Sequence, residues 1–258
     1  MTELEPNVDL QGRTAVVTGG TSGIGRATSI ALGMAGADVV VADIRSAPAE
    51  DVPSVLEEFE NLAAEAEFVK TDVTDEGAVE SLFDATTDRF GSVDILISNA
   101  GVFMTGSVTD MSAEDWQQEL AVNLTGVFHC CKHGLPELTA GDSASIVNVS
   151  SVYGIRGGVA NFGYTATKGG VLAVTKQLAV EYGPAGVRTN TVLPGFIETR
   201  MLDDDTPDET ESFALKNTPQ GRLGTPEDVA TTIRFLVSDQ ASFINGQALA
   251  VDGGFLGQ

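Results

Sequence analysis

Short runs of apolar and β-branched residues recur along the chain, separated by longer stretches whose apolar positions return every three or four residues. The pattern predicts strands at Thr14–Thr18, Asp38–Asp43, Glu67–Lys70, Val93–Ser98, Ser145–Val149, Arg188–Leu193 and Gln247–Val251. Between them it predicts helices, among them Glu76–Phe90, Phe162–Tyr182 and Pro226–Ser238. Strands alternating with amphipathic helices make βαβ units, hence a parallel sheet buried on both faces. Right-handed crossovers wind such a sheet doubly, with ligands beyond the carboxyl ends of its strands. The expectation is an α/β fold of about seven strands with helices on both faces. No linker, charge block or internal repeat divides residues 1–258, so they are read as one domain.

Composition changes this picture in one respect, the charge. The chain carries 37 acidic residues against 14 basic ones, a net charge of −23. Such a surface repels nucleic acid and anionic membranes, which excludes both as partners. Only five of the 14 bases are lysine. Self-repulsion of this size weakens a compact state at low ionic strength and is screened in molar salt, where the Debye length is about 3 Å. A halophilic source is therefore expected. No apolar run approaches the ~18 residues of a membrane span. Met1 to Leu10 is acidic and lacks the basic-then-apolar layout of a signal peptide, so a soluble cytoplasmic protein is expected. Cys130 and Cys131 are adjacent and make no disulfide framework. The stretch His129-Cys-Cys-Lys-His133 reads as a buried helix face, and no metal is expected.

The chemistry begins at the end of the first strand. Thr18 runs into Gly19-Gly-Thr-Ser-Gly23-Ile-Gly25, a glycine-rich turn opening a helix. Glycines there let the backbone approach a pyrophosphate, whose charge then sits on the helix N-terminus, as in a Rossmann-type dinucleotide fold. Arg26-Ala27 stands where a P-loop requires Lys and Ser/Thr, which rules that motif out. Asp43 ends the second strand, 18 residues beyond Gly25. An acid at that distance accepts from the adenosine ribose hydroxyls and repels a 2′-phosphate, so NAD is favoured over NADP. Arg45 is the nearby residue that can pair with such a phosphate.

Tyr164 and Lys168 stand four apart at the start of a helix, on one face. A tyrosine of pKa ~10 is a poor base at neutral pH, and an ammonium beside it stabilises the phenolate. Two unit charges about 4 Å apart at an effective dielectric near 20 interact by about 4 kcal/mol, at most roughly 3 pKa units. Of the three tyrosines, Tyr164 alone has a lysine at that spacing. Thirteen residues upstream, Ser151 lies just past a strand, where its hydroxyl can donate to the oxygen that Tyr164 protonates. Its neighbour Ser150 should point elsewhere.

These motifs together resemble the short-chain dehydrogenase/reductase family in its single-domain form, over essentially the whole chain. The marks are Thr18-Gly19-x-x-x-Gly23-x-Gly25, Asp72-Val73, Asn99-Ala-Gly101, Asn123, Ser151, Tyr164-x-x-x-Lys168 and Pro194-Gly195 with Thr199. The resemblance implies a catalytic set of Asn123, Ser151, Tyr164 and Lys168. Tyr164 would be the acid/base, Ser151 would polarise the carbonyl oxygen, and Lys168 would lower the phenol and hold the nicotinamide ribose. Asn123 would support a water chain from Lys168. It further implies cofactor contacts from Thr18, Gly19, Thr21, Ser22, Gly23, Ile24 and Gly25 at the turn, and from Asp43 and Ile44 at the adenosine ribose. Asp72 and Val73 would flank the adenine, Asn99, Ala100 and Gly101 the ribose. Pro194, Gly195, Ile197 and Thr199 would cradle the carboxamide.

The implied reaction is NAD-dependent hydride transfer between nicotinamide and a secondary alcohol or ketone, with a sugar, polyol or small hydroxy compound as substrate. The alternatives are a 3-oxoacyl-thioester ketoreductase, since the sequence also resembles 3-oxoacyl-carrier-protein reductases, and a non-catalytic NAD-binding regulator. Residues 198–220, acidic or small and polar over Asp203 to Glu211 apart from Pro207, would form a substrate lid. Family resemblance implies a homotetramer, built through the helix that carries Tyr164.

Overall fold

A computed structural model describes residues 8–141, 143–203 and 207–258. The first seven residues of the acidic N-terminal segment, and residues 204–206 of the expected lid, lie outside the described residues.

Seven strands form one parallel sheet: β1 Thr14–Thr18, β2 Asp38–Asp43, β3 Ala66–Lys70, β4 Ile95–Ser98, β5 Ala144–Val149, β6 Val187–Pro194 and β7 Ala248–Val251. Their order is β3-β2-β1-β4-β5-β6-β7, which reverses direction between β1 and β4. The register sets Val17 opposite Ile97 and Thr18 opposite Ala42, so β1, β2 and β4 end together. A crevice opens there because the crossovers leave in opposite directions.

The helices are α1 Gly23–Met34, α2 Val55–Phe59, α3 Glu76–Phe90, α4 Ala113–Leu120, α5 Gly126–Leu138, α6 Phe162–Tyr182, α7 Arg200–Asp203, α8 Pro207–Asn217 and α9 Pro226–Val237. Successive strand side chains point to opposite faces, and both faces are buried. Ala15, Val17, Val39 and Ile97 pack with Leu32 of α1, Phe59 of α2 and Ile233 of α9. Val16, Val40 and Leu96 pack with Leu82 of α3, Cys130 of α5 and Val171 of α6. Cys130 and Cys131 are free and buried, as a core helix face requires. Among the described residues no helix is long and apolar enough to cross a membrane.

Most predicted elements stand within a residue of their observed bounds. β4 starts two residues late, at Ile95, and the reason is local. The Asp94 carboxylate accepts from the Thr14 amide at 2.8 Å and the Ser92 hydroxyl at 3.0 Å, which ties the entry to the neighbouring strand. α9 opens on a capping box of Thr225 and Asp228 with Pro226 in the first turn, and ends before the extended Ser238. Between α4 and α5 the helix widens into one π turn, Ala121–Thr125. Such a bulge re-aims side chains and is common at functional sites. Here it carries Asn123.

Candidate active site

The carboxyl ends of the central strands enclose a cleft of about 540 Å³. Of the sequence-predicted positions, Gly19, Ser22, Gly23, Ile24, Asp43, Ile44, Asp72, Val73, Asn99, Ala100, Gly101, Ser151, Tyr164, Lys168, Pro194 and Thr199 line it. Thr18, Thr21, Gly25, Asn123, Gly195 and Ile197 do not reach its wall. Several of them hold the residues that do.

The floor of the cleft is built by close backbone approach. Gly19 takes φ +61, a left-handed conformation that glycine adopts at no steric cost, and a Cβ on Gly25 would stand 2.0 Å from the Gly19 carbonyl oxygen. Asn99 locks this turn to β4, its amide donating to the Thr18 and Gly19 carbonyls at 3.0 Å each. The Thr18 hydroxyl in turn receives the backbone amides of Asn99 and Ala100. At the tip of β2, the Asp43 carboxylate accepts from the Thr21 hydroxyl at 2.7 Å and from the Thr21 amide at 3.3 Å. The Ser22 hydroxyl accepts from the Ala49 amide at 2.7 Å, bringing the next loop and its Glu50 to the same wall. The cradle fits a dinucleotide: side-chain-free backbone at the helix N-terminus, and a fixed carboxylate where ribose hydroxyls need an acceptor.

At the other end, Ser151, Tyr164 and Lys168 come together from β5 and α6. Ser151 caps a short helical turn, its hydroxyl accepting from the Tyr153 amide at 3.2 Å. The Ser150 hydroxyl donates to the Lys168 carbonyl at 2.8 Å, which commits it to holding α6 on β5. Lys168 is buried and its Nζ donates to the Val149 carbonyl at 2.9 Å. That nitrogen stands 5.6 Å from the centre of the Tyr164 ring.

The expectation of a lowered phenol meets a stronger effect. Burial pushes Tyr164 up to about 12, with the Ser151 hydroxyl pulling back against it. Burial also pushes Lys168 down to about 8, against the support of Glu119. Both groups pay desolvation, and the ammonium spends its hydrogen bond on a backbone carbonyl.

Asn123 is fully enclosed. Its carbonyl accepts from the Val102 amide, and its own amide donates to the Val102 carbonyl, both at 2.8 Å. It therefore clamps the segment after β4 against α6, with Thr167 at 3.3 Å on the far side. His129 is a satisfied core residue, its Nδ1 2.9 Å from the Val73 carbonyl.

Sequence reasoning missed Val102, Gln118 and Glu50 along the cleft, and Phe103, whose ring meets Tyr164 edge-on with centres 5.2 Å apart. It also missed Glu119. Its one mark in the sequence is an acid a turn before Asn123, in Trp116-Gln-Gln-Glu-Leu-Ala-Val-Asn123, and an acid at a helical position reads as solvated surface.

A family described as enoyl-(acyl carrier protein) reductase, within the short-chain dehydrogenases, matches residues 19–256. The cis-4-hydroxycyclohexanecarboxylate dehydrogenase of Sinomonas cyclohexanicum is 41% identical over 244 residues, covering 94% of this chain and 96% of that one. The 3-oxoacyl-(acyl-carrier-protein) reductase of Thermotoga maritima is 37% identical over 247 residues, covering 96% and 99%. The crystal structure of levodione reductase superimposes with a TM-score of 0.87 at 35% identity, covering 95% of this chain and 98% of that one.

Proposed function

The chain belongs to the short-chain dehydrogenase/reductase family as an NAD(P)-dependent oxidoreductase of CH–OH groups, and we propose that within this class it prefers NAD and interconverts a secondary alcohol and its ketone. The substrate class we infer is a sugar, polyol or small cyclic hydroxy compound. One observation carries the cofactor reading: the Asp43 carboxylate, fixed by Thr21 on the cleft wall, with Glu50 on the same wall. Arg45 lines the same wall, but the two carboxylates outnumber its one guanidinium and disfavour a 2′-phosphate, while Asp43 can accept from a free ribose diol.

The glycine turn, Asn99 to Gly101, and Pro194 with Thr199 would hold the dinucleotide. Bound nicotinamide supplies the hydride acceptor or donor. The Tyr164 oxygen takes the alcohol proton during oxidation and returns it to the carbonyl oxygen during reduction. Ser151 donates to that same substrate oxygen, stabilising the charge that develops on it. Lys168, anchored on Val149, directs its remaining N–H groups into the cleft beside Tyr164. Asn123 keeps the Val102 segment pressed against them. Residues 198–220, with Met201 at the cleft edge, are proposed as the substrate lid, and the whole chain as one domain.

A second reading, reduction of a 3-oxoacyl thioester, is favoured by the likeness to the Thermotoga reductase. The two separate in one experiment: NAD⁺ and NADP⁺ reduction over a panel of sugars, polyols and cyclic secondary alcohols, beside NAD(P)H oxidation with a 3-oxoacyl thioester. Turnover of an alcohol with NAD⁺ supports our reading; turnover confined to the thioester overturns it.

For the solution state we propose a cytoplasmic, salt-adapted homotetramer. The net charge of −23 supports the salt adaptation. Phe128 on α5 and Val180 on α6, both exposed on the single chain, support an apolar interface through these helices.

A further inference from the structure

Glu119 is a carboxylic acid with no exposed surface, sealed directly behind the acid/base. One oxygen accepts from the Met104 amide at 2.8 Å. The other has no hydrogen-bond partner among the described residues. It faces Gly163, the residue before Tyr164, so closely that a Cβ there would lie 2.1 Å from it. The first turn of α6 thus fits over the carboxyl only because residue 163 lacks a side chain.

Asn123 and Glu119 act on the same segment from the same helix. Asn123 receives the Val102 amide and Glu119 the Met104 amide, and Phe103 between them packs edge-on against Tyr164. A buried acid is costly unless it is satisfied, and a half-satisfied one beside a reactive phenol calls for a role.

We propose that Glu119 is a positioning residue for the acid/base: it holds Phe103 against Tyr164, and its charge sets the pH range in which Tyr164 and Lys168 work. The ionisable groups facing it are Tyr164 and Lys168 on α6 and Asp115 on its own helix. The loop that covers it offers Met104 and Met111. Tyr153 faces Tyr164 from the short turn after β5. A negative Glu119 disfavours the phenolate and favours the ammonium. Burial raises the acid itself, with Asp115 adding to the rise and the Met104 amide opposing it.

The proposal rests on Tyr164 being the acid/base, and the test separates the two. Glu119→Gln keeps an oxygen for the Met104 amide and removes the charge. Both limbs of the pH profile of kcat/KM for alcohol oxidation should then move acid-ward by about one pH unit. In the unaltered protein, 13C at the hydroxyl-bearing ring carbon of Tyr164 should show a small step at the ionisation of Glu119, well below that of the phenol. This second readout stands even where the glutamine variant folds poorly. Unmoved limbs, or a single-step tyrosine titration, with Tyr164→Phe inactive, overturn the role of Glu119 alone. An active Tyr164→Phe overturns the acid/base assignment beneath it.

Discussion

The Lys168 ammonium donates to the Val149 carbonyl oxygen at 2.9 Å, joining the second turn of α6 to the last residue of β5. This contact decides where the lysine's charge sits. It is held at the cleft wall, beside the tyrosine ring rather than on its hydroxyl, and burial leaves it costly.

Lys168→Met should therefore trade function for stability. The lysine's folded pKa, about 8, lies below its ordinary 10.5, so the unfolded chain binds the extra proton across that window. The penalty is present in full below pH 8 and fades as pH rises towards 10.5. At pH 7 the variant should gain on the order of 2 kcal/mol, net of the lost Val149 bond, while turnover falls by at least about a hundredfold. Thermal melts at pH 7 and pH 10 check this; a variant less stable at pH 7 contradicts it.

Ser151 and Ser150 are neighbours with different partners. Ser151→Ala should lower kcat by about 10² to 10³ with little change in NADH affinity. Ser150→Ala loses the bond to the Lys168 carbonyl and should cost about 1 kcal/mol of stability. Parallel kinetics and denaturation curves test the division; equal losses of kcat in both variants would defeat it.

Asp43→Ala removes the carboxylate and also the partner of the Thr21 hydroxyl. The ratio of kcat/KM for NAD⁺ over NADP⁺ should fall about tenfold or more, a change of about 1.4 kcal/mol. An unchanged ratio moves the determinant to Glu50 or Arg45.

Salt should stabilise the protein. Between about 0.1 M and about 1 M KCl the Debye length falls from about 10 Å to about 3 Å, which screens the repulsion of the net −23 charge. The melting temperature should climb across that range, and sedimentation in high salt should give a tetramer. A flat melting temperature or a monomer refutes the corresponding proposal.

The strands were legible because β-branched runs buried on both sides leave a dense apolar signal, as at Asp38–Asp43. Tyr164 and Lys168 were legible because a helix face follows directly from spacing of four. Their ionisation was not, since sequence gives the charge pair and omits the depth at which it is buried. Glu119 was illegible for a related reason: an acid in α4 reads as surface, and only the packing of Gly163 over it shows otherwise. The π turn that seats Asn123 against Val102 leaves no mark in the hydrophobic pattern.

In the proposed reaction Tyr164 moves the proton. The direct measurement is steady-state turnover of Tyr164→Phe with the best alcohol of the panel, beside NADH binding followed by fluorescence. Turnover should fall by about 10³ or more, with NADH affinity within about twofold of the unaltered protein. A variant that keeps most of its activity would contradict that role.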